Sequence, residues 1–76
     1  MDLLDLLLRD PHEGARQELR AAINPSVQNP VVEEFRFNTY EVILDREVGE
    51  AWVFDVLDGT AEPTIITLDE LRRRLV

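Results

Sequence analysis

The sequence predicts an α+β domain with two N-terminal helices, a small antiparallel β-meander of about three strands, and one C-terminal helix. Three observations carry this expectation. Apolar residues recur at helical spacing as far as Ile23, alternate with polar ones from Phe35 to Leu57, and return to helical spacing after Thr67. The helical stretches open on capping residues, and the alternating stretch is broken by Gly49 and Gly59 within charged turns. Helices segregated from a run of strands place the helices against one face of an antiparallel sheet. Residues 1–76 read as a single domain, without an internal repeat, a linker or a low-complexity segment.

Asp2 caps a first short helix that runs to Arg9, with Leu3, Leu4, Leu7 and Leu8 on adjacent positions of one wide face. A leucine face that wide requires burial, and in so short a chain these four leucines form a candidate surface between copies. Asp10-Pro11-His12-Glu13 is a fresh start, with Asp10 at N-cap, Pro11 at N1 and Glu13 at N3. The second helix extends to about Ile23; Ala15, Leu19, Ala22 and Ile23 form its apolar stripe, and Glu13, Arg16, Gln17 and Arg20 face water. Asn24-Pro25 stops it, because the residue before proline is pushed out of the α region. Residues 24–30 form a loop by composition.

Beyond the loop the period becomes two. Phe35 and Phe37 alternate with Arg36 and Asn38, and Tyr40, Val42 and Leu44 alternate with Glu41 and Asp45. The run from Asp45 to Glu50, with its charges and Gly49, suits a hairpin turn. Trp52, Phe54 and Val56 share one face of the returning strand, and Val53, Asp55 and Leu57 share the other. Asp58-Gly59 is a second turn, and Ile65-Ile66 a short further strand. Thr67 then caps the last helix with Glu70 at N3, Leu68, Leu71 and Leu75 form its apolar stripe, and Arg72, Arg73 and Arg74 complement the negative end of its dipole.

A domain of 76 residues buries only about 60% of the surface its unfolded chain exposes, so its core is thin. The chain has no cysteine, which removes disulfides and thiolate metal sites as reinforcement and leaves association, with a homodimer as the simplest form. No apolar run approaches the ~20 residues of a membrane span, and Met1-Asp2 opens without the basic and apolar regions of a secretory signal. The expectation is a cytoplasmic protein that does not enter membranes.

The net charge of −8 is unevenly placed. Residues 1–37 carry seven acids and four arginines, residues 38–71 carry nine acids and only Arg46, and Arg72 to Arg74 follow. Such an acidic middle repels phosphate backbones and attracts a basic protein partner, so direct nucleic-acid binding is not expected. The candidate contact residues are Glu41, Asp45, Glu47, Glu50, Asp55 and Asp58, joined by Trp52. Trp52 and Tyr40 lie beside Phe54 and Val42 on apolar strand faces, a setting of core or sheet-face residues more than of a ligand cage. The period alone does not tell which face Trp52 takes; exposed, it would be an energetic anchor for a partner.

Catalytic constellations are sparse. Asp55-Val56-Leu57-Asp58-Gly59-Thr60 resembles the aspartate signature of haloacid-dehalogenase-type phosphatases, but its aspartates are three apart, which sets them on opposite faces of an extended strand. The same segment lacks the alternating aspartates of a calcium loop. Ser26 is the one serine and His12 the one histidine, the latter early in a capped helix where an imidazole is ordinarily solvated. No enzyme activity, metal or other cofactor is expected.

From Asn38 onward the order of features is similar to the C-terminal part of SUKH-class proteins. The residues that carry the likeness are Tyr40, Val42 and Leu44, then Gly49-Glu50-Ala51-Trp52-Val53-Phe54-Asp55, then Ile65-Ile66-Thr67 and Leu68-Asp69-Glu70-Leu71. It covers half of the chain and leaves the first 37 residues unmatched. The resemblance implies a hairpin leading to a final short helix, and a place among immunity proteins that neutralise a toxin. Together with the charge, it makes an acidic inhibitor, immunity or antitoxin-like protein the leading functional expectation. The alternative is a small structural subunit that associates through strand edges and the leucine face. DNA mimicry ranks below both. A body about 30 Å across corresponds to duplex DNA with roughly 17 charges, about twice the net charge of the whole chain.

Overall fold

The computed structural model describes residues 2–9, 14–23, 30–37 and 39–75 of the chain. Its elements run α1 (Leu3–Leu8), α2 (Gly14–Ala22), β1 (Val32–Phe37), β2 (Tyr40–Asp45), β3 (Glu50–Asp55), β4 (Thr64–Thr67) and α3 (Leu68–Leu75). The strands form one antiparallel meander in the order β1-β2-β3-β4. The fold is α+β, as the change of period predicts.

The sheet has four strands where about three are expected. Alternation shifts phase between Phe37 and Tyr40, across the consecutive polar residues Asn38 and Thr39, and the chain folds back there, with Phe37 paired directly to Tyr40. The sequence between them, Asn38 and Thr39, contains no glycine, so composition does not mark a hairpin there. The longer hairpin between β2 and β3 falls where its residues place it. Asp45 Oδ1 accepts from the amides of Glu47 (3.0 Å) and Val48 (3.4 Å), the Gly49 amide returns to the Asp45 carbonyl, and Gly49 takes φ 75°, a region that favours glycine.

Parity along the strands divides the side chains. Val42, Leu44, Ala51 and Val53 point to the helix side and are fully buried, packed with Leu4 and Leu7 of α1, Ala15, Leu19 and Ala22 of α2, and Leu71 and Leu75 of α3. Phe35, Phe37, Tyr40 and Ile66 close the margin of this core on the same side, with Phe35 and Phe37 stacked at 5.9 Å between ring centroids. The leucine face of α1 is therefore occupied within the chain: Leu4 and Leu7 are buried, Leu3 and Leu8 pack at the margin, and Leu6 is the exposed one.

Helices this short are marginal in isolation, and their ends are held by designated side chains. Asp2 Oδ1 caps α1 by accepting from the Asp5 amide (2.9 Å), and Thr67 Oγ1 caps α3 by accepting from the Glu70 amide (3.1 Å). The capping arrangement of Asp10 to Glu13 lies outside the described residues, as do His12, Ser26 and residues 24–29 of the proposed loop. The C-terminal ends are closed by arginine. Arg16 and Arg20 do not simply face water: their guanidinium groups donate to the last carbonyls of α3, those of Arg74 and Leu75. Arg72 donates to the Ile23 carbonyl just past α2, and Arg46 donates to the carbonyls of Ala22 and Pro30, both at 2.6 Å. Four arginines thus satisfy carbonyls that helix and loop ends leave open.

Arg74 ties the two ends of the chain together. It meets Asp2 Oδ2 at 2.7 Å, Glu70 Oε1 at 3.2 Å and Asp5 Oδ1 at 3.4 Å. Partial burial alone would push the Asp2 carboxyl up, but the Asp5 amide and the Arg74 guanidinium outweigh it and hold the group below the ordinary carboxylate range. Hydrogen bonds to the Asp2 and Glu70 carboxylates raise the Arg74 guanidinium further.

Two outcomes follow for stability. Leu7 is 2% exposed, so Leu7→Asp places a carboxylate in the core and is expected to abolish cooperative folding. A wild-type circular dichroism spectrum and melting curve for this variant would contradict the packing of α1. Asp2→Asn keeps a competent cap and removes only the charge. Because the folded Asp2 carboxyl titrates below its unfolded value, its contribution is present above that value and disappears as pH falls through the folded one. Wild type should exceed the variant by up to about 1 kcal/mol near neutral pH in a partly solvated network, and the gap should close in acid. Denaturant titrations across that range check this, and a gap that persists in acid would be contrary to it.

Candidate protein-binding face

Helices lie against one face of the sheet, and the strand register assembles the other face row by row. Its central row is Glu34, Ile43, Trp52 and Ile65, each paired directly with the next across β1 to β4. Arg36, Glu41 and Phe54 form the row toward one end, and Val32, Asp45, Glu50 and Thr67 the row toward the other. Among the described residues no side chain of these rows is buried, whereas their neighbours of opposite parity on β2 and β3 include the fully buried core.

The centre of this open face is apolar. The rings of Trp52 and Phe54 are stacked with centroids 6.3 Å apart and planes 20° from parallel, which fixes both in place. Ile43 flanks Trp52 on one side, and Ile65, 45% exposed, flanks it on the other. The expectation that groups Trp52 and Tyr40 as residues of one apolar setting is corrected by the register: Tyr40 packs at the helix-side core, and Trp52 lies on the opposite face.

Carboxylates surround that centre. Glu34, Glu41, Asp45 and Glu50 stand on the same face, with Arg36 as the one cation among its described residues. Glu47 is exposed at the adjoining hairpin turn. The other two candidate acids are elsewhere: Asp55 faces the helix side at the far end of β3, and Asp58 follows in the next turn. A six-residue strand puts them about 17 Å from the Asp45–Glu50 hairpin. Both shape that turn. Asp55 Oδ1 accepts from the amides of Leu57 (3.0 Å) and Asp58 (3.3 Å). Asp58 Oδ1 accepts from the Thr60 hydroxyl (2.7 Å) and amide (3.0 Å), and these bonds hold its carboxyl below the usual range. The seven candidate contact residues thus divide: Trp52, Glu41, Asp45 and Glu50 share one face, Glu47 borders it, and Asp55 and Asp58 do not belong to it.

Sequence reasoning names Trp52 but misses Ile43, Phe54, Ile65, Glu34 and Arg36 as its companions. Period two sets Phe54 beside Trp52; the others become neighbours only through the register of three strand pairs. A concavity lined by Asp5, Leu8, Arg9, Arg16 and Arg74 lies where α1, α2 and α3 meet, and its Arg16 and Arg74 groups serve the helix-end contacts already described. Among the described residues no cluster of three metal-ligating side chains occurs, and no helix is long and apolar enough to cross a membrane. No family model, curated protein or solved structure matches this chain.

The chain has one tryptophan, so its fluorescence reports on this face alone. Trp52 is accessible within a carboxylate margin, and the local field should concentrate cations there. Caesium should therefore quench its emission more effectively than iodide, relative to free tryptophan amide, and Glu41→Gln with Glu50→Gln should narrow the difference. Equal quenching by both ions would contradict an acidic margin around Trp52.

Proposed function

We propose that this chain is a non-enzymatic protein-binding module that captures a basic protein partner on the open face of its sheet, in the manner of an inhibitor or immunity protein. The observation that carries the proposal is the stacked Trp52–Phe54 pair, flanked by Ile43 and Ile65 and enclosed by Glu34, Glu41, Asp45 and Glu50. A rigid aromatic centre within a charged rim is the anatomy of a protein interface: the centre supplies most of the affinity, and the rim supplies steering and selectivity.

The sign of the rim selects the partner. Laying this face against a copy of itself would bring four carboxylates and one cation against the same set, which disfavours self-association there. The excess of negative charge also opposes a phosphate backbone. A surface rich in arginine and lysine with an apolar centre is the complement. The resemblance of residues 38–76 to SUKH immunity proteins supports the same class of function, as does the net charge of −8.

The test begins with affinity capture from the native cell at low salt, with wild type and Trp52→Ala as parallel baits, followed by surface plasmon resonance on the partner recovered. Trp52→Ala should cost about 2 kcal/mol or more, roughly thirtyfold in affinity, mainly through faster dissociation. Glu47→Gln with Glu50→Gln should instead slow association several-fold and flatten its salt dependence, because rim charges act on encounter and exposed turn carboxylates contribute little stability. An affinity that is indifferent to Trp52 and constant from about 50 mM to about 500 mM salt would refute the proposal.

A further inference from the structure

The two edges of the sheet are not equivalent. β4 is four residues long, follows Pro63, and has its first residue engaged by α1, whose Leu3 amide donates to Thr64 Oγ1 at 3.0 Å. β1 is six residues long, contains no proline, and among the described residues pairs with β2 alone. Val31 and Val32, at its start, are more than half exposed. An edge of this kind is a ready template for another strand.

Which of its backbone groups are open follows from the ladder. The Arg46 amide donates to the Val31 carbonyl at 2.7 Å, and in an antiparallel pair the groups of successive residues turn alternately toward and away from the partner strand. Val31, Glu33, Phe35 and Phe37 therefore bond to β2, and the amides and carbonyls of Val32, Glu34 and Arg36 point outward. Only pairings that match outward residues with outward residues are open to an incoming strand. The charges then choose among them.

We propose that the occupant of this edge is β1 of a second copy of the chain, paired antiparallel about Phe35. That register sets Glu34 of each chain directly opposite Arg36 of the other, on the same face, with about four inter-chain backbone hydrogen bonds between them. Phe35 meets Phe35 of the second copy on the helix side, beside the Phe35–Phe37 stack. Sliding one allowed step in either direction puts Glu34 against Glu34 or Arg36 against Arg36, so the alternation of sign favours this register over both of its neighbours. Arg36 makes no ion pair with any described residue of its own chain and is available for this role. Charges placed only to blunt an edge would have no reason to be self-complementary. The resulting sheet has eight strands and two open faces side by side; the pairing does not depend on what those faces bind.

Charge reversal tests the register. At about 0.15 M salt, where repulsion between the two acidic chains is screened beyond ~8 Å, sedimentation equilibrium of wild type should give a weak, concentration-dependent dimer. Glu34→Arg sets arginine against arginine and Arg36→Glu sets glutamate against glutamate, so each should weaken the dimer roughly tenfold. The double variant Glu34→Arg with Arg36→Glu should restore wild-type association, and an equimolar mixture of the two single variants should form a mixed dimer. Net repulsion alone predicts otherwise, since Glu34→Arg reduces the negative charge and would strengthen association. Circular dichroism confirms that each variant is folded, and the double variant has the composition of wild type. A wild type that stays monomeric to about 1 mM, a Glu34→Arg protein that associates more tightly, or a double variant that fails to recover overturns the proposal.

Discussion

The interaction on which the rest of the structure depends is the one-sided burial of the sheet. Three helices of six to nine residues cover one face of four strands, and the buried set from Leu4 to Leu75 joins both ends of the sequence through Val42, Leu44, Ala51 and Val53. A domain of this size has a stability of about 4 to 11 kcal/mol, so each buried leucine, whose truncation removes about 2 to 5, is a large share of the whole. The chain has no further helix among its described residues to place on the second face. Among the described residues no element covers that face, and its composition suits the exposure: an aromatic and aliphatic centre with carboxylates around it.

Arginine makes so small a core sufficient. Helices of two turns leave a large fraction of their backbone groups without intrahelical partners, and the planar, multiply donating guanidinium can reach several carbonyls at once. Arg46 shows the economy of the arrangement: one side chain joins the end of α2, the Pro30 carbonyl ahead of β1 and the Glu33 carboxylate. Arg74 does the same for the N-terminus of α1 and the body of α3. The cations are largely committed to holding helix ends, and the acids that outnumber them are left to define the surface. The same chemistry that closes the core therefore sets the sign of the open face.

Much of the fold is legible in local patterns. The caps at Asp2 and Thr67 and the hairpin at Gly49 follow from residue types whose backbone preferences act within three or four positions. The turn after Phe37 is legible only as a shift of phase, from apolar Phe35 and Phe37 to apolar Tyr40, Val42 and Leu44, because Asn38 and Thr39 lack the glycine that usually announces a hairpin. The face of Trp52 was not legible. Period two divides Trp52 from Val53, but the choice of which set meets the helices depends on the summed fit of both against Leu4, Leu7, Leu71 and Leu75. The arginine contacts span intervals as long as from Asp2 to Arg74, and no local pattern encodes them. The candidate acids behaved similarly: composition groups Asp55 and Asp58 with Glu41 and Glu50, and only the register separates those that shape a turn from those that surround Trp52.

One face of the sheet is covered by the chain's own helices, and the other is accessible in the free protein. Paramagnetic relaxation by a neutral soluble probe measures this residue by residue, at concentrations where the chain is monomeric. The side chains of Ile43, Trp52, Phe54 and Ile65 should relax strongly, and those of Val42, Leu44, Val53 and Leu71 should be protected. Protection of Trp52 and Phe54 equal to that of Val42 and Val53 would show that the second face is covered, and would contradict both the architecture and the binding function drawn from it.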